Sequence, residues 1–182
     1  MNTANKLTLL RVVLVPFYMI FLLRPDFVSQ MIALAIFIIA SLTDALDGHI
    51  ARKYNQITAF GKFVDPLADK MLITAAFLVF LAQGIMNVWA VMIVLAREFA
   101  VAGIRLSAVT EGKVIAASFW GKLKTVSQML AVIAAMLLLN ISVIPHEVSM
   151  LITNILIWIS VIFTVFSGAD YLIKNKSLLK LK

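Results

Sequence analysis

The composition of this chain is that of a membrane protein. Its 182 residues are 63% hydrophobic and 14% charged, with a mean hydropathy of +1.03 and a net charge of +7, which is outside the range of soluble globular domains. Cysteine is absent, which excludes disulfides, thiolate zinc sites and thiol nucleophiles. Because no long polar block interrupts the chain, we expect one helical membrane domain over residues 1–182.

Against a hydrocarbon core of about 30 Å, which a helix of about 20 apolar residues crosses, the chain shows apolar stretches separated by short polar breaks. Turn formers and charges fill these breaks, as in helix connections. We therefore predict an all-α, polytopic bundle of six transmembrane helices. The stretches run Leu9–Leu23, Gln30–Arg52, Ala59–Leu81, Val88–Ala108, Phe119–Leu139 and Ser149–Leu172.

The basic residues predict the orientation of this bundle. If the N-terminus faces the cytoplasm, only Arg24 lies on the far side and Arg97 lies within a span, while the remaining lysines and arginines lie on the cytoplasmic side. Both termini are then cytoplasmic, and the basic surface suits anionic lipid headgroups. The polar segment Met1–Thr8 is expected to lie along the membrane interface. Nucleic-acid binding is not expected, because no aromatic-interleaved basic patch lies away from the membrane.

Paired aspartates at the cytoplasmic ends of the second and third stretches are the most informative feature. Asp44 and Asp47 are three residues apart, and Asp65 and Asp69 are four apart, so each pair shares one face of a helix. Carboxylates at this depth are costly unless they are paired or bound to metal. Pro66 leaves two alternatives: a helix that starts at Pro66 with Asp65 as its cap, or a continuous helix with a kink.

When the third stretch folds back against the second, the two acidic pairs can face each other and form a cage of oxygen ligands. Such ligands without His or Cys favour Mg²⁺ or Mn²⁺. Four carboxylates are neutralised by two divalent cations, so we predict two ions. These faces carry almost no side-chain bulk at Gly48, Ala51 and Gly61, so a nucleotide pyrophosphate can approach them. The planar guanidinium of Arg52 can pair with phosphate or base.

At these residues the chain resembles the CDP-alcohol phosphatidyltransferases. The matching string is Asp44-x2-Asp47-Gly48-x2-Ala51-Arg52-x8-Gly61-x3-Asp65-x3-Asp69. The resemblance implies an enzyme of phospholipid biosynthesis in the bacterial cytoplasmic membrane, a homodimer that transfers the phosphatidyl group of CDP-diacylglycerol to an alcohol and releases CMP. It also implies that the first three aspartates bind metal, and that Asp69 binds metal and acts as general base on the acceptor hydroxyl.

The acceptor is less closely defined by the signature. Strings around Asn5–Arg11, Ala96–Phe99 and Gly121–Thr125 resemble the branch of the family whose acceptor is glycerol 3-phosphate, and serine or inositol phosphate are the alternatives. A phosphorylated acceptor requires cations. The candidates for binding its phosphate are Thr8, Arg11, Arg97, Arg105, Lys122 and Lys124.

Two other interpretations remain open from the residues. Arg97 and Glu98 lie within a span, where ionisable residues are functional by default but can also simply neutralise each other. A small cation or proton transporter would also use intramembrane acids, although transport pathways commonly cross the bilayer midplane, whereas these acids cluster at one membrane edge. A purely structural role would not explain why charged residues lie within the apolar segments.

Overall fold

The computed structural model describes the backbone of residues 3–53, 59–110, 115 and 118–176, and the side chains of residues 8–43, 68, 70–108, 115 and 118–176. Every regular element in these ranges is an α-helix. The helices are α1 (Thr3–Leu22), α2 (Phe27–Lys53), α3 (Ala59–Ala82), α4 (Val88–Thr110), α5 (Phe119–Leu138) and α6 (His146–Lys174).

The helices correspond one to one with the predicted apolar stretches, with two differences. Residues 3–8 do not form a separate segment, because α1 already begins at Thr3. The helix α3 begins at Ala59 and continues past Pro66, so the alternative in which a helix starts at that proline is wrong. Within the described ranges, α5 and α6 are long and apolar enough to cross a membrane, and shorter apolar runs occupy Thr8–Leu22, Phe27–Thr43 and Lys70–Ala82.

The chain divides into two compact units, Met1–Gln83 and Gly84–Lys182. In the first unit α1 packs against both α2 and α3, which touch each other far less. Aromatic side chains form part of its core, where Tyr18 and Phe37 have ring centroids 5.6 Å apart. Buried residues around them include Val15, Leu22, Ala33, Ala40, Leu72, Ala76, Phe77 and Phe80.

Side-chain caps define the connection between α1 and α2. The carboxylate of Asp26 accepts a hydrogen bond from the Ser29 backbone N–H at 2.9 Å, at the start of α2. The Gln30 amide donates to the carbonyls of Leu22 at 2.8 Å and Arg24 at 2.6 Å, and the Gln83 amide also donates to Leu22, at 2.9 Å. Carbonyls left unpaired at the end of α1 are therefore satisfied by side chains.

In the second unit α6 packs against both α4 and α5. The buried face of α6 is unusually polar, because hydroxyl residues recur at three- and four-residue spacing along it. These residues are Ser149, Thr153, Ser160, Thr164 and Ser167, with Ile157 and Tyr171 on the same face. Small polar residues let helices approach closely in a membrane and hydrogen bond across the contact; the Gln128 amide of α5 donates to the Thr164 hydroxyl at 3.0 Å.

Candidate active site

The acidic signature lies on two helices of the first unit. Asp44 and Asp47 lie near the end of α2, and Asp65 and Asp69 lie in the first half of α3. Since the backbone is helical at all these positions, each pair shares one helix face, as predicted. The side chains themselves, and those of Gly48, Ala51, Arg52 and Gly61, lie outside the described residues, so their convergence remains a prediction.

The donor set fits a hard divalent cation. Two carboxylate pairs on helices that contact each other supply only oxygen ligands, the type preferred by Mg²⁺ and Mn²⁺. Helical placement also keeps each pair on a rigid element, which a metal site requires. The acids at 44, 47, 65 and 69 are therefore suited by chemistry and by helix register to hold such ions.

Thr8 and Arg11 lie on the interior face of α1. Each is 1% exposed, and they continue the buried stripe formed by Val15, Tyr18 and Leu22 at three- and four-residue spacing. A buried guanidinium needs a compensating acceptor or charge. The Arg11 guanidinium is thus a permanent cation inside the unit that also contains the four aspartates.

Arg97 and Lys124 are brought together in the second unit by one carboxylate. Arg97 Nη1 donates to Glu98 Oε1 at 3.0 Å, and Lys124 Nζ donates to the same oxygen. The side chains are 12%, 12% and 8% exposed for Arg97, Glu98 and Lys124. Among the described side chains, this buried cluster brings two cations to one anion, an arrangement that suits an anionic ligand.

The other two predicted cations lie apart from this cluster. Arg105 is exposed on α4, and its Nε donates to the buried Tyr171 hydroxyl at 3.3 Å, with Cζ 5.7 Å from the ring centroid. Lys122 is exposed on α5, and two residues along a helix is a rotation of about 200°, so it lies on a different side from Lys124. Within the second unit the structure therefore separates the four candidate cations into a buried pair, Arg97 and Lys124, and two surface residues.

Ser167 and Gly168 belong to this region and were missed by sequence reasoning. The Ser167 hydroxyl accepts a hydrogen bond from Arg97 Nη2 at 2.6 Å. A Cβ added to Gly168 would lie 3.0 Å from Arg97 Cγ. The available signal was the spacing of hydroxyl residues along α6, which places Ser167 on the face that contacts the neighbouring helices.

These features define an all-helical membrane protein with paired acids on one unit and a buried cationic cluster on the other. A sequence model of the family described as CDP-alcohol phosphatidyltransferase matches residues 1–166. The chain belongs to that family.

Several relatives match along nearly the whole chain. A protein of Bacillus subtilis (strain 168) named CDP-diacylglycerol--glycerol-3-phosphate 3-phosphatidyltransferase is 43% identical, over 98% of this chain and 97% of its own length. A Haemophilus influenzae protein of the same name is 38% identical, over 94% and 91%. A Mycobacterium tuberculosis (strain H37Rv) protein named probable phosphatidylglycerophosphate synthase is 37% identical, over 93% and 79%.

Proposed function

We propose that this protein transfers the phosphatidyl group of CDP-diacylglycerol to glycerol 3-phosphate, giving phosphatidylglycerophosphate and CMP. It is a phosphatidyltransferase of phospholipid biosynthesis. The observation that supports this most directly is 43% identity over 98% of the chain to a relative named for that reaction. The complete acidic signature from Asp44 to Asp69 supports the same donor chemistry.

Members of this family depend on divalent metal, and we assign its binding here to Asp44, Asp47, Asp65 and Asp69. Bound as two ions, Mg²⁺ or Mn²⁺ would balance the four carboxylates and polarise the phosphoryl oxygens of the donor. Gly48, Ala51 and Gly61 leave room for the CDP moiety, and the Arg52 fork pairs with its phosphate or base.

Asp69 takes the proton from the primary hydroxyl of glycerol 3-phosphate. The hydroxyl oxygen forms a bond to the phosphatidyl phosphorus, the bond from that phosphorus to the bridging oxygen breaks, and CMP leaves with the electron pair. We favour a single displacement, because the signature positions offer no Ser, Cys or His as nucleophile.

The acceptor phosphate is assigned to the buried cationic cluster, with Arg97 and Lys124 as its main ligands. Their shared carboxylate lowers the repulsion between the two cations and holds both side chains together, so that a phosphate monoester could contact both. Thr8, Arg11, Arg105 and Lys122 remain further candidates. A serine acceptor would need fewer cations near the site than glycerol 3-phosphate does.

The same proposal includes the membrane arrangement. We propose one domain of six membrane-spanning helices in the bacterial cytoplasmic membrane, with the termini and the acidic signature on the cytoplasmic side, assembled as a homodimer. The distribution of lysine and arginine along the sequence supports this orientation.

A direct assay tests the reaction and its acceptor together. Purified protein in detergent or nanodiscs is given CDP-diacylglycerol and Mg²⁺ or Mn²⁺, with glycerol 3-phosphate, serine or inositol phosphate in parallel, and released CMP is measured. Of the three acceptors, we expect only glycerol 3-phosphate to support CMP release. This release should be lost when EDTA removes the metal. Equal release with serine would contradict the acceptor assignment, and full activity after exhaustive chelation would contradict the metal assignment.

A further inference from the structure

The Arg97 side chain is held in one position by two helices of the second unit. Glu98, its neighbour on α4, accepts from Nη1 at 3.0 Å, and Ser167 on α6 accepts from Nη2 at 2.6 Å. The aliphatic part of the side chain lies against α6 at Gly168. Both ends of the guanidinium and its aliphatic stem are thus fixed by neighbouring residues.

Gly168 leaves the space that the arginine occupies. A Cβ built on Gly168 would lie 3.0 Å from Arg97 Cγ and 4.0 Å from Arg97 Cβ. Carbon atoms at optimal van der Waals contact are about 3.5–4.0 Å apart, so a Cβ at residue 168 would require the Arg97 side chain to shift by a few tenths of an ångström. The serine and the glycine act on the same side chain from consecutive positions.

The Nε donor of this fixed guanidinium is not used by any described residue. Arg97 Nε is buried and has no hydrogen-bond partner among the described residues. A buried N–H that makes no hydrogen bond costs about 1–3 kcal/mol. In a guanidinium the Nε and Nη2 donors lie along one edge, the geometry that binds two oxygens of a phosphate or carboxylate.

We propose that Ser167 and Gly168 are positioning residues for acceptor binding, which fix the Arg97 guanidinium so that its Nε edge faces the acceptor phosphate. This inference rests on the proposed function, in which Arg97 binds that phosphate. Neither residue of α6 binds the acceptor, and both act through Arg97. Acceptor recognition therefore depends on α6 as well as on the two helices that contain Arg97 and Lys124.

The first test compares Gly168→Ala with Gly103→Ala. Gly103 is the matched control, since it is also a helical glycine and a Cβ added there would meet no described residue within 4 Å. Gly168→Ala should lower kcat/KM for glycerol 3-phosphate about tenfold or more, because a shifted Arg97 guanidinium loses hydrogen bonds to the acceptor phosphate. The change should be in the KM for the acceptor, with kcat and the KM for CDP-diacylglycerol nearly unchanged. Gly103→Ala should behave as the original protein.

The second test removes one hydroxyl from α6 and adds no bulk. Ser167→Ala should raise the KM for glycerol 3-phosphate by roughly three- to tenfold, since one hydrogen bond to a charged group is lost. Ser160→Ala is the control, because Ser160 is also buried on α6 but its hydroxyl donates within its own helix, to the Ile157 carbonyl at 2.7 Å. This variant decides the question if Gly168→Ala does not fold.

A double-variant cycle separates positioning from general damage. Arg97→Ala removes the Cγ atom that a residue at 168 would meet, so adding Gly168→Ala to it should cause no further loss of kcat/KM. A further loss as large as that of the single Gly168→Ala variant would overturn the inference.

The failure of the inference and the failure of the proposed function give different results. If Arg97→Ala lowers kcat/KM for the acceptor while Ser167→Ala and Gly168→Ala match their controls, only the positioning role is overturned. If Arg97→Ala leaves kcat/KM unchanged, Arg97 does not bind the acceptor and both assignments are overturned. If no variant or original protein releases CMP with any acceptor, the proposed reaction itself is wrong.

Discussion

Glu98 shows at the scale of single residues how this protein keeps charge in an apolar interior. Its Oε1 receives both Arg97 Nη1 and Lys124 Nζ, and all three side chains are largely buried. Such a cluster contributes little net stability when complete, because each charge has lost its hydration. The cost of removing the shared anion is much larger, since the buried Arg97 guanidinium would then lose this counter-charge.

Glu98→Gln should therefore destabilise the protein by about 3–5 kcal/mol. The measurement is thermal or denaturant unfolding in detergent, beside Glu147→Gln as control, because Glu147 is an exposed acid in the first turn of α6. Equal stability of the two variants would show that the cluster does not depend on this carboxylate.

Asp69→Asn should abolish turnover while donor binding largely survives. The amide cannot accept the proton of the acceptor hydroxyl, and loss of a general base costs about 10²–10⁴-fold in rate. CMP release is the measurement, with binding of CDP-diacylglycerol followed separately. Asp26→Asn is the control, since Asp26 is an exposed acid outside the signature. A rate near that of the original protein would refute the general-base assignment.

The residues of this site differ in how far the sequence could predict them. The aspartates could be proposed from the sequence because ionised groups in an apolar span are functional by default and their spacing fits one helix face; their metal-binding role stays a prediction. For Arg97 and Glu98 the sequence left a functional role and mutual neutralisation open, and the structure shows them paired, with Lys124 added. Ser167 was not predictable as a partner of Arg97, because the two are 70 positions apart and a serine in a membrane helix has many possible roles.

At the scale of helices, hydropathy located every described element. Predicted and observed bounds of α3, α4 and α5 nearly coincide, because charged or turn-forming residues end the apolar runs where the helices end. The start of α1 was predicted at Leu9 and lies at Thr3. Hydropathy marks where a helix can meet lipid, whereas the helix itself is defined by backbone hydrogen bonds, which polar residues also make.

The cap of α2 gives a prediction about pH. The hydrogen bond from the Ser29 backbone N–H is the main cause that lowers the pKa of Asp26 below its usual value of 3.8. A depressed pKa means that the charged carboxylate stabilises the fold above the unfolded pKa, and that this contribution is lost as the pH falls through the folded value. The Asp26→Asn variant keeps an acceptor at the cap but has no charge.

The stability difference between the original protein and Asp26→Asn should therefore be constant near neutral pH and shrink once the pH falls below 3.8. Thermal unfolding in detergent at a series of pH values measures it. A difference that grows on acidification would show that the charge of Asp26 opposes the fold.

At the scale of the whole molecule, the chain forms two compact units, and the single membrane domain expected from the sequence stays a prediction. Composition indicates which solvent surrounds the chain and approximately how many times it can cross, because both follow from summed transfer free energies. How helices associate depends on packing and on interhelical hydrogen bonds, such as the contact between Gln128 and Thr164, and these have no simple pattern in one sequence.

The proposed orientation can be tested directly, since the chain has no cysteine. Val143 lies in the exposed connection between α5 and α6, and Lys176 follows α6. In intact cells a membrane-impermeant maleimide should label a Val143→Cys variant but not a Lys176→Cys variant, and both should be labelled after the cells are opened. The reverse pattern would place the termini and the acidic signature outside the cytoplasm.

The adjacency of Arg97 and Glu98 has a consequence for biogenesis. A lone arginine at the centre of a nascent helix costs about 2.5–3.5 kcal/mol to insert by the cellular machinery. Because its counter-ion is the next residue, α4 would, in the proposed six-helix arrangement, enter the bilayer with the guanidinium already partnered and before Lys124 is synthesised. Lys124 would pair with the same carboxylate later, when α5 is inserted. The order of synthesis therefore matches the order in which the three charges pair.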